Sequence, residues 1–327
     1  MVRKALASVV VGLWAFLDLF SNRHLGNHPQ VESEYDRAYL PSEREYWLMD
    51  IHRPHNAVGP MPTIIAVHGG GLFGGDKGQD TAFCQQLAAR GFAVLNINYR
   101  RTPRHSVRES IADVLAAIDC VANFSADLKV DPDRVFLVGE SAGALLVCTI
   151  SLALVDDNFR RSLELDSVSL FEGLGSEPHG EGQGDWAPAA FDGIRSKLGI
   201  RALGLVSPML AIDERSYRGF GVNAINFGRA ESEKRLKDAL ALENLPDLSQ
   251  LPPIYGVSSR QDWLFKMSKA FVRRLQNDRA GHFFRFFGKP KTHRLDHIFS
   301  VFKPQYPQSQ QVFDEMTAFF KKTEGRI

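Results

Sequence analysis

The chain has 327 residues, 44% of them hydrophobic, and 39 Lys and Arg against 38 Asp and Glu leave a formal net charge of +1. That length and apolar content suit one large buried core, and α/β folds of this size commonly form a single domain. A balanced charge without a long basic run argues against a nucleic-acid surface, and the widely spaced Cys84, Cys120 and Cys148 imply neither a disulfide framework nor a metal site.

At the N-terminus, Val2-Arg3-Lys4 precedes an apolar stretch from Ala5 to Phe20 that Asp18 interrupts. The stretch is short for a membrane span, and no small-x-small cleavage site follows it. Leu6, Val10, Leu13, Leu17 and Phe20 recur at helical spacing. We read residues 1–40 as a helical arm that packs over the active-site mouth, in preference to a helix resting on lipid. Residues 41–327 then form the catalytic body, with a cytoplasmic location expected.

Arg44 to His52 reads as an early antiparallel strand, Thr63-Ile64-Ile65-Ala66-Val67 and Ala93 to Asn98 as parallel ones. Between them Phe83 to Arg90 reads as a helix stopped by Gly91, and Ile111, Val114, Leu115, Ile118 and Val121 stripe another. Asp131-Pro132-Asp133 is a turn before the buried strand Arg134 to Val138. Ala142 to Val155 then reads as a helix apolar nearly all round. Leu203 to Val206, Pro253 to Val257 and His282 to Phe287 continue the sheet. The alternation predicts an α/β fold, a mostly parallel sheet with helices on both faces. Insertions near 156–200, glycine-rich between Gly173 and Gly193, and near 211–250, helical from Ser232 to Leu242, are expected to form lid structure.

Two motifs carry chemistry. Gly139-Glu140-Ser141-Ala142-Gly143 joins a strand to a helix, so its glycines allow the sharp turn that lifts the Ser141 hydroxyl clear of the sheet. His68-Gly69-Gly70-Gly71 leaves another strand at the sheet end where open α/β sheets bind ligands. Its amides, with that of Ala142, can receive an oxygen that becomes negative during attack. A serine nucleophile needs an imidazole base and a carboxylate to orient it, and in this fold they follow in the order Ser, acid, His. His179, His282, His293 and His297 lie downstream. His297 is preferred, in the polar loop after the strand His282 to Phe287, with His293 its competitor. Asp262, leaving the strand Pro253 to Val257, is the acid, and it also suits a helix N-cap. Asp296 reads as a solvated charge.

These residues resemble the hormone-sensitive-lipase-like esterases of the α/β-hydrolase superfamily. Tyr99-Arg100-Arg101-Thr102-Pro103-Arg104-His105, Asp262-Trp263-Leu264 and His297-Ile298-Phe299 resemble that group's further motifs, over roughly residues 62–155 and 203–302. The chain departs from the pattern at Arg101, Thr102 and Arg104, and at Leu72 with Phe73 displaced by one. The resemblance implies the triad Ser141, Asp262 and His297, with oxyanion donors among Gly69, Gly70, Gly71 and Ala142. It implies a small-molecule ester substrate of short to medium acyl length, with no metal and no cofactor. An arylformamidase-like amide hydrolase is the alternative, and a non-enzymatic small-molecule binder the second. Phe73, Trp186, Phe220 and Phe227 are candidate lining residues, and oligomeric state stays open, a homodimer included.

Overall fold

A computed structural model describes residues 27–40, 44–165, 191–210, 226–227 and 231–324. Eight strands form one sheet in the order β1-β2-β4-β3-β5-β6-β7-β8. They are β1 (Val31–Ala38), β2 (Leu48–Pro54), β3 (Met61–Val67), β4 (Ala93–Ile97), β5 (Val130–Glu140), β6 (Ile200–Val206), β7 (Ile254–Ser259) and β8 (His282–Phe287). The β1–β2 and β2–β4 pairs are antiparallel, and every later pair is parallel.

The helices are α1 (Lys77–Ala88), α2 (Val107–Phe124), α3 (Ala142–Val155), α4 (Asp157–Ser162), α5 (Phe191–Lys197), α6 (Glu231–Ala239), α7 (Phe265–Asn277), α8 (Phe299–Phe302) and α9 (Pro307–Thr323). Side chains alternate across a strand, so each central strand feeds two cores. Ile65, Val67, Leu137 and Leu205 pack with α2 and α3 on one face. Ile64, Ala66, Phe136 and Val138 pack with α1 and α9 on the other. Having apolar layers on both sides explains why α3 is buried from Ala142 through Leu154. Cys84, Cys120 and Cys148 are free and buried, and burial pushes the Cys120 and Cys148 thiols up to about 12.

Two expectations about element limits need correction. Residues 31–38 form β1, paired antiparallel with β2, so a helical arm does not extend through residue 40. The helix read from Phe83 to Arg90 begins six residues earlier, at Lys77. Its first turn is polar yet buried, because the Lys77 ammonium pairs with Asp36 at 2.7 Å and with Asp50. The Ala5 to Phe20 stretch, His179, Trp186, Phe220 and, of the two insertions, residues 166–190, 211–225 and 228–230 lie outside the described residues. Within the second insertion, α6 ties to the body through Arg108, which donates to Glu233 Oε1 at 2.9 Å and to the Ser232 carbonyl at 2.8 Å. Leu236, Leu240, Leu245 and Leu248 join the first core. No helix among the described residues is long and apolar enough to cross a membrane.

Candidate active site

β5 ends at Glu140, and Ser141 follows at φ 50° and ψ −114°, outside the usual regions for a residue with a side chain. The turn is held on both sides, since Ser141 N–H donates to the Val206 carbonyl at 2.9 Å and Met209 N–H to the Ser141 carbonyl at 3.0 Å. A Cβ on Gly143 would overlap the Val67 carbonyl oxygen of the neighbouring strand. The motif's second glycine is therefore required by the close approach of β3 to the start of α3.

His297 arrives from the far side of the sheet. Ile298 sits in the left-handed region at φ 48° and ψ 37°, and its N–H donates to Ser207 Oγ at 3.1 Å. A β-branched residue held there carries strain of about 1–3 kcal/mol, which the surrounding bonds must offset. This bend aims the imidazole at Ser141, with Nε2 2.8 Å from Ser141 Oγ. On the other edge Nδ1 lies 2.9 Å from Asp262 Oδ1. A carboxylate can only accept, so Nδ1 carries the proton and Nε2 is free to accept one from the serine hydroxyl.

Asp262 follows the turn after β7. Its Oδ1 also accepts from Leu264 N–H at 2.8 Å, and Ser258 Oγ lies 3.3 Å from Oδ2. Burial pushes this carboxyl up, but the hydrogen bond and charge of His297, with bonds from Ser207 and Leu264, outweigh it and hold it below the usual carboxylate range. Asp262 thus remains ionised at neutral pH. It anchors the turn ahead of α7 by accepting from Leu264 N–H, and because Leu264 is the N-cap, the expectation that Asp262 caps this helix is corrected. The Trp263 ring stands 5.0 Å from the His297 ring and is 42% exposed.

The competing residues are occupied elsewhere. His293 contacts Thr292 Oγ1 and Gln308 Oε1, each at 2.9 Å, and packs against the Tyr306 ring. His282 opens β8 and bonds the Ala280 carbonyl. Asp296 pairs with Arg294 at the surface. Phe73 and Phe227 are buried.

The glycine loop is braced from beneath. Gly70, Gly71 and Leu72 take φ of 97°, 64° and 71°. The Tyr99 hydroxyl lies 2.9 Å from the His68 carbonyl, and its ring stacks on His68 at 4.4 Å. Burial, with the Arg101 charge, pushes the His68 imidazole down to about 4, so this ring is neutral. Gly69 N–H donates to Glu140 Oε1. That amide is taken. Among the described residues, the amides of Gly70, Gly71 and Ala142 carry no such bond.

Glu140 is a residue whose part sequence reasoning missed, although it lies inside the motif. Burial pushes its carboxyl up to about 7, against the opposing pull of His297 and of Gly69 N–H. Asp80 on α1 is pushed up as well, by burial first and then by the Glu140 and Asp76 charges. A folded-state value above the ordinary 4.5 means that the folded chain keeps a proton the unfolded chain has released. The stabilisation is therefore full below the unfolded value and lost as pH rises toward 7. Relative to Glu140→Gln, which keeps the acceptor for Gly69, the parent chain should lose unfolding free energy as pH rises from about 4.5 to 7.5. Denaturant melts of both proteins across that range check this, and a pH-independent difference contradicts it.

The BD-FAE family model matches residues 49–169. A probable isoprenylcysteine alpha-carbonyl methylesterase of Arabidopsis thaliana is 32% identical over 162 residues, which are 49% of this chain and 33% of that protein. Esterase LipQ of Mycobacterium tuberculosis is 33% identical over 131 residues, 39% of this chain and 31% of that one. The chain thus spans about a third of the length of these curated relatives. Among solved structures, Esterase B from Lactobacillus rhamnosis superposes with a TM-score of 0.77 at 22% identity, covering 99% of this chain and 97% of that one. At that identity the likeness shows the fold alone, the α/β-hydrolase fold.

Proposed function

We propose that this α/β-hydrolase, whose motifs resemble those of the hormone-sensitive-lipase-like esterases, cleaves carboxylic esters through an acyl-Ser141 intermediate. The observation that carries the reading is the hydrogen-bonded line from Ser141 Oγ through His297 to Asp262, at 2.8 Å and 2.9 Å. In the first step Ser141 Oγ attacks the ester carbonyl while His297 Nε2 takes its proton. The tetrahedral oxyanion is received by amides among Gly70, Gly71 and Ala142. His297 then gives the proton to the departing alcohol oxygen, the carbon–oxygen bond breaks, and the acyl group stays on Ser141. Water repeats the sequence, with His297 as base, and releases the acid. Asp262 holds the ring in one tautomer and offsets the charge that it gains.

The names of the curated relatives, methylesterase and esterase, favour an ester over an amide bond. A histidine within bonding distance of Ser141 weighs against a receptor that binds without turnover. A small-molecule ester with a short to medium acyl chain fits this reading best. Steady-state rates on p-nitrophenyl acetate, butyrate and octanoate, beside N-formylkynurenine, test it. Ser141-dependent ester turnover exceeding amide turnover is expected. Turnover of the formamide alone, or of none of these substrates, would falsify it.

A further inference from the structure

Two of the positions at which the chain departs from the resembling motif, Arg101 and Thr102, both turn onto the glycine loop. Arg101 Nη1 donates to the Gly75 carbonyl. Thr102 N–H donates to the Leu72 carbonyl at 2.9 Å. The Thr102 hydroxyl donates to Asn226 Oδ1, with the Leu72 carbonyl a second acceptor in reach at 3.2 Å. Asn226 lies far along the chain, between β6 and α6, and its Nδ2 donates to the Gly71 carbonyl at 2.8 Å. Thr102 and Asn226 are 3% and 4% exposed, so these bonds are shielded from water.

The bonds fall where the loop is least able to hold itself. Leu72 has a side chain yet sits at φ 71°, a conformation costing about 1–2 kcal/mol that would relax if unrestrained. The Gly71 carbonyl belongs to the Gly71–Leu72 peptide, so fixing it fixes the ψ of Gly71 and the φ of Leu72. We propose that Thr102 and Asn226 form a two-residue latch that positions the oxyanion-receiving amides of the Gly70–Gly71 stretch. They are positioning residues, and the proposal rests on the ester-hydrolase reading of Ser141. A donor displaced by a fraction of an ångström loses transition-state stabilisation while the ground-state ester binds much as before. The latch therefore acts on kcat and spares KM.

Thr102→Val replaces the hydroxyl with a methyl of similar volume and provides the test, beside Thr102→Ser, Asn226→Leu and the double variant Thr102→Val with Asn226→Leu. On p-nitrophenyl butyrate, Thr102→Val and Asn226→Leu should each lower kcat about 10- to 100-fold with KM within about threefold. Thr102→Ser should stay within about threefold of the parent, and the double variant should be no slower than the slower single one. Unchanged kcat in Thr102→Val overturns the latch. So does a double variant whose losses multiply, or a fall in thermal midpoint with no change in kcat. If the parent itself lacks Ser141-dependent turnover, the hydrolase reading fails instead, and the latch with it.

Discussion

Ser141→Ala should lower kcat on short p-nitrophenyl esters by at least about 10⁴-fold while leaving KM and thermal stability close to the parent's. The variant keeps the amides of Gly70, Gly71 and Ala142, so a residual rate above the uncatalysed reaction is expected from them alone. Stability should be nearly unchanged, or slightly raised, because among the described residues the hydroxyl makes one hydrogen bond, with His297 Nε2, and Ser141 sits at positive φ whichever small side chain it carries. Retention of the parent's turnover would contradict the assignment of Ser141 as nucleophile.

Asp262→Asn is expected to be nearly as severe, about 10⁴-fold in kcat near neutral pH, with the fold intact. An amide beside Nδ1 can donate as well as accept. Asn at 262 can thus face an unprotonated Nδ1, which places the ring proton on Nε2, the edge that must receive the proton of Ser141. In the parent the Asp262 carboxyl is held below the usual carboxylate range and stays charged throughout the working range, so it can stabilise the imidazolium as it forms. The neutral amide of the variant lacks that charge, a second cause of the loss. Activity within tenfold of the parent would remove Asp262 from the role proposed for it.

Most of the sheet and the line of three side chains are legible in the sequence, because each strand and turn is encoded locally. The run Arg134 to Val138 is apolar and β-branched, the motif glycines mark the elbow, and His297 and Asp262 follow strands in the order that the fold demands. What escaped the sequence depends on partners distant along the chain. Lys77, Gln79 and Asp80 carry no local sign of burial, yet they form the buried first turn of α1, where Asp36 and Asp50 pair with the Lys77 ammonium, and burial with the Glu140 and Asp76 charges pushes the Asp80 carboxyl up. The helical spacing of Leu6 to Phe20 says nothing of residues 31–38, whose mostly polar sequence Val31 to Ala38 carries no strand signal of its own, and only pairing with β2 makes it β1. Thr102 looked like a departure from a motif until Asn226 stood next to it.

The braces under the glycine loop share one logic. Glu140 holds Gly69 N–H, Tyr99 holds the carbonyls of His68 and Gly69, and Asn226 holds that of Gly71, while the Gly70 carbonyl accepts from Phe73 and Gly74 N–H within the loop itself. Amides fixed in this way need not reorganise when charge develops on the substrate oxygen, and such preorganisation is commonly the largest single contribution to acyl transfer.

The most direct measurement is the site and rate of phosphonylation by a fluorophosphonate probe, read by peptide mass spectrometry on the intact chain and on His297→Ala. Rapid labelling confined to Ser141 and strongly slowed without the imidazole is the predicted result. Labelling at another residue, or at Ser141 with a rate indifferent to His297, would contradict the account.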